Sequence, residues 1–299
     1  MKTPTDMRTR LTLAVVWVGV GAALYHAAIS EVAAFALHDD TFSYIVLIPL
    51  VSAFFLLRDR KEIFSSLSFS PLAGGSMLAG ALVVFFAGRA LTGTLSPLDR
   101  HSVMMCSVVV YLIGGVTALL GAGVLRRALF PLLFLLFAIP LPRAILNPVI
   151  TALQMGSSEA ANVFFLLSGT EFLREGTSYH FSSMTITVAP ECSGIRSGLA
   201  LLVTSVVAGK LFLGRPWSRA ALAVAVFPIA VTKNGLRIAV LSLWAIHRDP
   251  AILHGALHRQ GGKPFFVVAL IMLGVVLWVI RRAENQRRGG AEGQRSSEQ

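Results

Sequence analysis

The sequence predicts an all-α polytopic membrane protein, with about eight transmembrane helices and a small extracytoplasmic helix and β-hairpin insertion. Three observations carry this. Of the 299 residues 55% are hydrophobic and 14% charged, and the mean hydropathy is +0.72. Apolar runs near the roughly 20 residues needed to cross a bilayer recur along the chain. The net charge of +11 is gathered in short basic clusters beside those runs, as membrane anchors are, and not in a stripe that would read a nucleic acid.

In order, the candidate spans are Leu11–Ile29, Ser43–Leu57, Pro71–Ala90, Val103–Leu120, Leu125–Pro140, Ser197–Leu213, Ala220–Ile246 and Phe265–Ile280. Lys2, Arg8 and Arg10 precede the first. That run exceeds the roughly 7–15 apolar residues of a signal peptide and more spans follow it, so an uncleaved first helix is expected. With the N-terminus in the cytoplasm, the clusters Arg58/Arg60/Lys61, Arg126/Arg127, Lys210/Arg215/Arg219 and Arg281/Arg282/Arg287/Arg288 all fall inside. The opposite loops hold Glu31, Asp39, Asp40, Asp99, Glu171, Glu175, Glu191 and Asp249.

Residues 1–282 are thus expected to form one transmembrane domain, with 141–196 as an extracytoplasmic insertion and 283–299 as a disordered cytoplasmic tail rich in Gly, Arg, Glu and Gln. Within the insertion, Asn147, Thr151, Gln154, Ser158 and Asn162 recur at helical spacing opposite Leu146, Val149, Ile150, Leu153, Ala161, Phe164 and Leu167. Such a helix suits the headgroup plane. Alternation of Tyr179 with Phe181, then of Met184, Ile186 and Val188, predicts two short strands turning at Ser182-Ser183. A ninth span at Ile145 to Leu167 is the competing reading. It would place the clusters at Lys210–Arg219 and Arg281–Arg288 outside, against the charge bias.

Three features bear chemistry. Cys192 lies in Ala189-Pro-Glu-Cys-Ser-Gly-Ile-Arg-Ser197, where a polar stretch re-enters the membrane at a helix start; unpaired N–H groups there favour thiolate. Its bland readings are a small packed residue or a disulfide with Cys106, whose own place in an apolar run is that of a core residue. Ser193 or Gly194 N–H would help bind an oxyanion. Arg237 sits within the apolar seventh span, where a charge costs about 2.5–3.5 kcal/mol on insertion scales and calls for a partner or a duty. His254 and His258 are four residues apart in the outward loop before the eighth span. Gly255 stands where a zincin has Glu, so no metal is expected, and the residues alone leave the choice between the two histidines open. A Cys, a His and an Arg on one face can perform acyl transfer through a thioester: the His moves the thiol proton, and the Arg steadies the developing oxyanion.

The residues also resemble the exosortase/archaeosortase family of membrane transpeptidases. The likeness is carried by Phe130-Pro-Leu-Leu-Phe-Leu-Leu-Phe-Ala-Ile-Pro-Leu-Pro142, Leu153-Gln154, Arg174-Glu175-Gly176 and Val188-Ala-Pro-Glu-Cys-Ser-Gly-Ile-Arg-Ser197. It continues through Asn234-Gly-Leu-Arg-Ile238, and through His258 with Gly262 and Phe265-Phe266. Where family members often carry Ser-His before the proline of the second span, this chain has Ser43-Tyr44 before Pro49. The resemblance implies Cys192 as nucleophile, Arg237 as the catalytic arginine and His258 as the catalytic histidine, with no cofactor. It implies a multi-pass protein of the bacterial inner membrane with an extracytoplasmic active site. Its partners would be the bilayer, proteins bearing a C-terminal motif, hydrophobic helix and basic tail, and an unknown acceptor, with no nucleic acid. Two alternatives remain: a non-catalytic transporter or polysaccharide-export component using Arg237 to bind an anion, and a purely hydrolytic intramembrane thiol protease.

Overall fold

The computed structural model describes residues 4–65, 67–91, 93–248 and 262–297. It is helical but for one small sheet, and it divides into two compact units, Met1–Leu146 and Asn147–Gln299.

The first unit runs through α1 (Pro4–Leu24), α2 (His26–His38), a 3₁₀ turn (Ser43–Leu47), α3 (Ile48–Arg58), the short α4 (Arg60–Ile63), α5 (Pro71–Ala90), α6 (Pro97–Leu120), α7 (Ala122–Arg127) and α8 (Leu129–Phe134), which tightens into 3₁₀ over Leu135–Ala138. Its axis is the hairpin of α5 and α6. Pro97 occupies the first turn of α6, and the Ser96 hydroxyl accepts from Asp99 N–H at 3.2 Å, a cap that starts the helix where an apolar run alone would not define an end. Small polar side chains tie the apolar helices together: Tyr25 and Ser107 hydroxyls meet at 2.8 Å, Ser107 donates to the Ala81 carbonyl, and Ser52 donates to the Pro131 carbonyl, each at 2.8 Å. In surroundings as apolar as the helices themselves, such bonds and close packing replace the hydrophobic effect as the cause of association.

The second unit contains most of α9 (Arg143–Leu167), then β1 (Leu173–Glu175), β2 (Ser178–His180), β3 (Thr185–Thr187), a 3₁₀ turn (Pro190–Cys192), α10 (Ile195–Phe212), α11 (Pro216–His247) and α12 (Gly262–Ser297). β2 is central and antiparallel to both neighbours, with Leu173 opposite His180 and Ser178 opposite Thr187. The two expected strands are β2 and β3, and Phe181 N–H donates to the Met184 carbonyl across the expected turn at 2.9 Å. β1 adds a third strand. Buried Leu201, Leu222, Val226, Ile229, Ala269 and Leu273 make the core shared by α10, α11 and α12.

Among the described residues five helices are long and apolar enough to cross a membrane, or up to seven if each of two bent pairs is one span. The expected eight is therefore not reached by this count. The first run breaks at Tyr25, with α1 and α2 bent by 73°. Ser43–Arg58 is too short for the roughly 30 Å hydrocarbon layer. The fifth run ends at Pro140-Leu-Pro142, where the chain turns by 83° into α9, because neither proline can donate to a continuing helix.

Two further differences stand out. α9 forms as expected, but Gln154 and Ser158 of its polar stripe turn inward, while Met155, Val163, Leu166 and Leu167 are exposed. A helix seated among polar headgroups would present the reverse. α12 also continues past Arg282 to Ser297, over residues for which the sequence predicts disorder. Ala283, Glu284, Gln286 and Arg287 are good helix formers, and Glu284 is held in place: it is 6% exposed and accepts from Gly214 and Arg215 N–H at 3.1 and 3.0 Å.

Candidate active site

Around Cys192 the local fold is dictated by three adjoining residues. Pro190 opens the 3₁₀ turn with its φ already set, and Cys192 N–H closes it onto the Ala189 carbonyl at 2.9 Å. Ser193 N–H then donates to the Pro190 carbonyl at 3.0 Å. Gly194 takes the left-handed conformation, φ +80°, and caps α10; a side chain there would be strained by the backbone and would press within 3.0 Å of Asn234 Cγ. The turn therefore projects Cys192 just ahead of the helix, as the sequence predicts.

The thiol lies over an aromatic floor. Tyr179 of β2 is fully buried; its hydroxyl donates to the Ser158 carbonyl of α9 at 2.6 Å and meets the Ser158 hydroxyl at 2.8 Å. Phe165, Phe181, Val188, Ala161 and Ala239 complete the cluster, and partly buried Cys192 and Ile238 pack against it. Arg174 of β1 grips Glu159 with two bonds at 2.9 and 2.5 Å, and that carboxylate raises the guanidinium above its ordinary pKa. The sheet thereby stays on α9.

α11 brings the second group. Asn234, fully buried, donates from Nδ2 to the Cys192 carbonyl at 2.6 Å, and Lys233, 3% exposed, donates to the Ser197 hydroxyl at 2.6 Å. Arg237 follows Asn234 by three residues, so it stands about one helical turn further on the same face, half-buried, and its neighbours Ile238 and Ala239 belong to the cluster beneath the thiol. Gly235 is what lets α11 come so close to α9: a Cβ there would fall 2.4 Å from Ala160 Cβ and 2.8 Å from Ala161 N. Cys192 and the turn of α11 that bears Arg237 are thus brought together across more than forty residues of sequence.

His254 and His258 lie outside the described residues. Cys106 and Cys192 are both free thiols. Among the described residues no group of three His, Cys, Asp or Glu is arranged to hold a metal ion. Beside the cluster opens a cleft of about 620 Å³ lined by Ser168, Glu171, Phe172, His180, Ile246 and His247 among others. Phe172 and Ile246 line the cleft and also pack on the buried cluster that Cys192 packs against.

A family model described as a transmembrane exosortase matches residues 30–275. The chain belongs to the transmembrane exosortase family. Membership supports a membrane transpeptidase-like role for this multi-pass protein, and the match takes in Cys192, Arg237, His254 and His258. Neither curated proteins nor solved structures provide a match. In this exosortase, sequence reasoning singled out Cys192 and Arg237 but gave no role to Gln154 and Lys233, and none to Asn234 beyond its motif. Their signal was present as polar residues within apolar helices, which cost too much to be left without partners.

Proposed function

We propose that this exosortase is a cysteine transpeptidase that cleaves C-terminal sorting signals at the extracytoplasmic face of the bacterial inner membrane. The observation that carries the reading is the Asn234–Cys192 bond, which sets the only cysteine at a helix start against the α11 turn that presents Arg237. Cys192 Sγ attacks the scissile carbonyl of a membrane-tethered substrate, with His258 taking the thiol proton and then giving it to the departing amine of the helix-tail fragment. Arg237 steadies the oxyanion. Because Ser193 N–H is spent on Pro190, Gly194 N–H is the remaining backbone candidate for that duty. The sorting motif sits in the cleft bounded by β1, β2 and the end of α11. Enzyme and substrate share the bilayer, so encounter is already confined and the helix of the signal needs only to dock beside the bundle. An acceptor amine, or water, resolves the thioester.

The test is covalent trapping. Co-expressed with a protein of the same genome that ends in a motif, an apolar helix and a basic tail, the chain should form a hydroxylamine-labile adduct on Cys192. Cys192→Ala should abolish adduct and cleavage while leaving membrane-inserted protein; Cys106→Ala should retain both. Cleavage by Cys192→Ala would overturn the nucleophile, and cleavage independent of added amine would favour the hydrolytic protease over a transferase.

A further inference from the structure

Among the described residues, the short segment that ends in Cys192 is held by main-chain partners only through the Val188 N–H to Thr177 carbonyl bond at 2.9 Å and its own 3₁₀ turn. It leaves β3 at Val188, passes Ala189 and Pro190, and enters α10 only at Ile195. Neither the β2–β3 ladder nor α10 includes the residue on which the proposed chemistry depends, and the main-chain bonds of the 3₁₀ turn close only on itself. Two side-chain amides from different helices also reach the segment, each at a main-chain carbonyl. Gln154 of α9 donates from Nε2 to the Val188 carbonyl at 2.6 Å, and Asn234 of α11 donates from Nδ2 to the Cys192 carbonyl at 2.6 Å.

We propose that Gln154 and Asn234 are positioning residues, a two-point carboxamide clamp that holds the nucleophile segment Val188–Cys192 by its end carbonyls. The proposal deepens the function argued above and rests on Cys192 being the nucleophile. The surroundings of each amide fit the role. Asn234 is fully buried, and its contact depends on Gly194, since a Cβ at that position would come 3.1 Å from Oδ1 as well as 3.0 Å from Cγ. Lys233, on the residue before, donates to Ser197 Oγ at 2.6 Å, and Ser197 in turn donates to the Gly194 carbonyl at 3.0 Å, so the far side of the turn is tied to α11 too. The close α9–α11 crossing at Gly235 and Ala160 sets the separation of the two helices from which the amides reach. An amide suits both posts better than a charged donor: it supplies the N–H that a buried carbonyl requires without adding a charge in an apolar setting. Each amide donates to a main-chain carbonyl and not to the thiol. They act through the backbone of Cys192, keeping its thiol in register with Arg237 one turn above Asn234, and a displacement of about 1 Å at such a site costs on the order of 10²-fold in rate.

The experiment uses the purified full chain in detergent and two independent readouts. Asn234→Asp and Gln154→Glu keep the shape of each side chain while replacing the donor by an acceptor. Gly194→Ala disturbs the Asn234 contact from its other side and guards against a failure of Asn234→Asp to fold. Amide hydrogen exchange should speed up by about tenfold or more over residues 189–194 in each variant, with α10 and α11 as protected as in wild type. Cleavage of a reporter ending in a genome-derived sorting signal should fall by about 10²-fold with KM within about threefold. The double variant should lose much less than the product of the two single losses, because a segment freed at one end gains little from release at the other. Unchanged exchange in 189–194 would overturn the clamp, as would loosened exchange with wild-type cleavage or a fully multiplicative double variant. Cleavage by Cys192→Ala with normal exchange would instead overturn the nucleophile and leave the clamp as a structural device.

Discussion

At the scale of single residues, Arg237 is where charge and geometry can be separated. Lysine keeps the positive charge in the span and loses the planar fork that directs two hydrogen bonds, so Arg237→Lys should insert as well as wild type. It should form thioester about 10²–10³-fold more slowly, the usual cost of one transition-state donor. Near-wild-type cleavage by both Arg237→Lys and Arg237→Gln would leave Arg237 a structural charge. Of the two histidines, His258→Ala should nearly abolish turnover and His254→Ala reduce it modestly, measured at equal membrane abundance; the opposite ranking would move the general base to His254. Physics alone does not rank them, since each is one imidazole and the two stand only four residues apart in sequence. The family-like spacing of His258 to Gly262 supplies the preference.

At the scale of elements, the loop between α10 and α11 depends on a residue seventy positions further along. Glu284 of α12 accepts the Gly214 and Arg215 amides at the start of α11, where a carboxylate also meets the positive end of the helix dipole. Glu284→Ala leaves those donors without that acceptor and should lower stability by about 1–3 kcal/mol, read as a lower melting temperature in detergent. Glu284→Gln should fall between, since one amide oxygen remains to accept. An unchanged melting temperature for Glu284→Ala would mean that water satisfies the loop. Periodicity made the helices and the hairpin legible at this scale. The capping use of Glu284 was not legible, because a glutamate in an Arg- and Gln-rich stretch has the composition of a solvated tail whether or not a distant loop needs it.

For the whole molecule, the orientation in the bilayer follows from the placement of Lys and Arg, which predicts Ser178 outside and Arg127 inside. In a background lacking Cys106 and Cys192, a membrane-impermeant maleimide applied to spheroplasts should label Ser178→Cys and spare Arg127→Cys. Labelling of Arg127→Cys alone would invert the topology and carry the proposed active site into the cytoplasm. The breaks at Tyr25 and at Pro140-Leu-Pro142 lie within or beside runs that read as simple spans, so counting apolar residues cannot tell a straight helix from a bent pair. A hydropathy window sums side chains and is blind to the direction of the helix axis.

What the sequence determined by itself is what depends on composition and local chemistry. It placed the chain in the membrane through its apolar runs, started α10 behind Cys192 through Pro190 and Gly194, and marked Arg237 as a charge that an apolar helix does not carry without cause. Tertiary structure alone decided which distant groups meet: Gln154 with the Val188 carbonyl, Asn234 with that of Cys192, Lys233 with Ser197, and Glu284 with the start of α11. The physical reason is that each of these donors and acceptors has many equivalent partners along the chain. Only the close crossing of α9 and α11, and the packing of α12 on α10 and α11, selects the one within hydrogen-bonding distance.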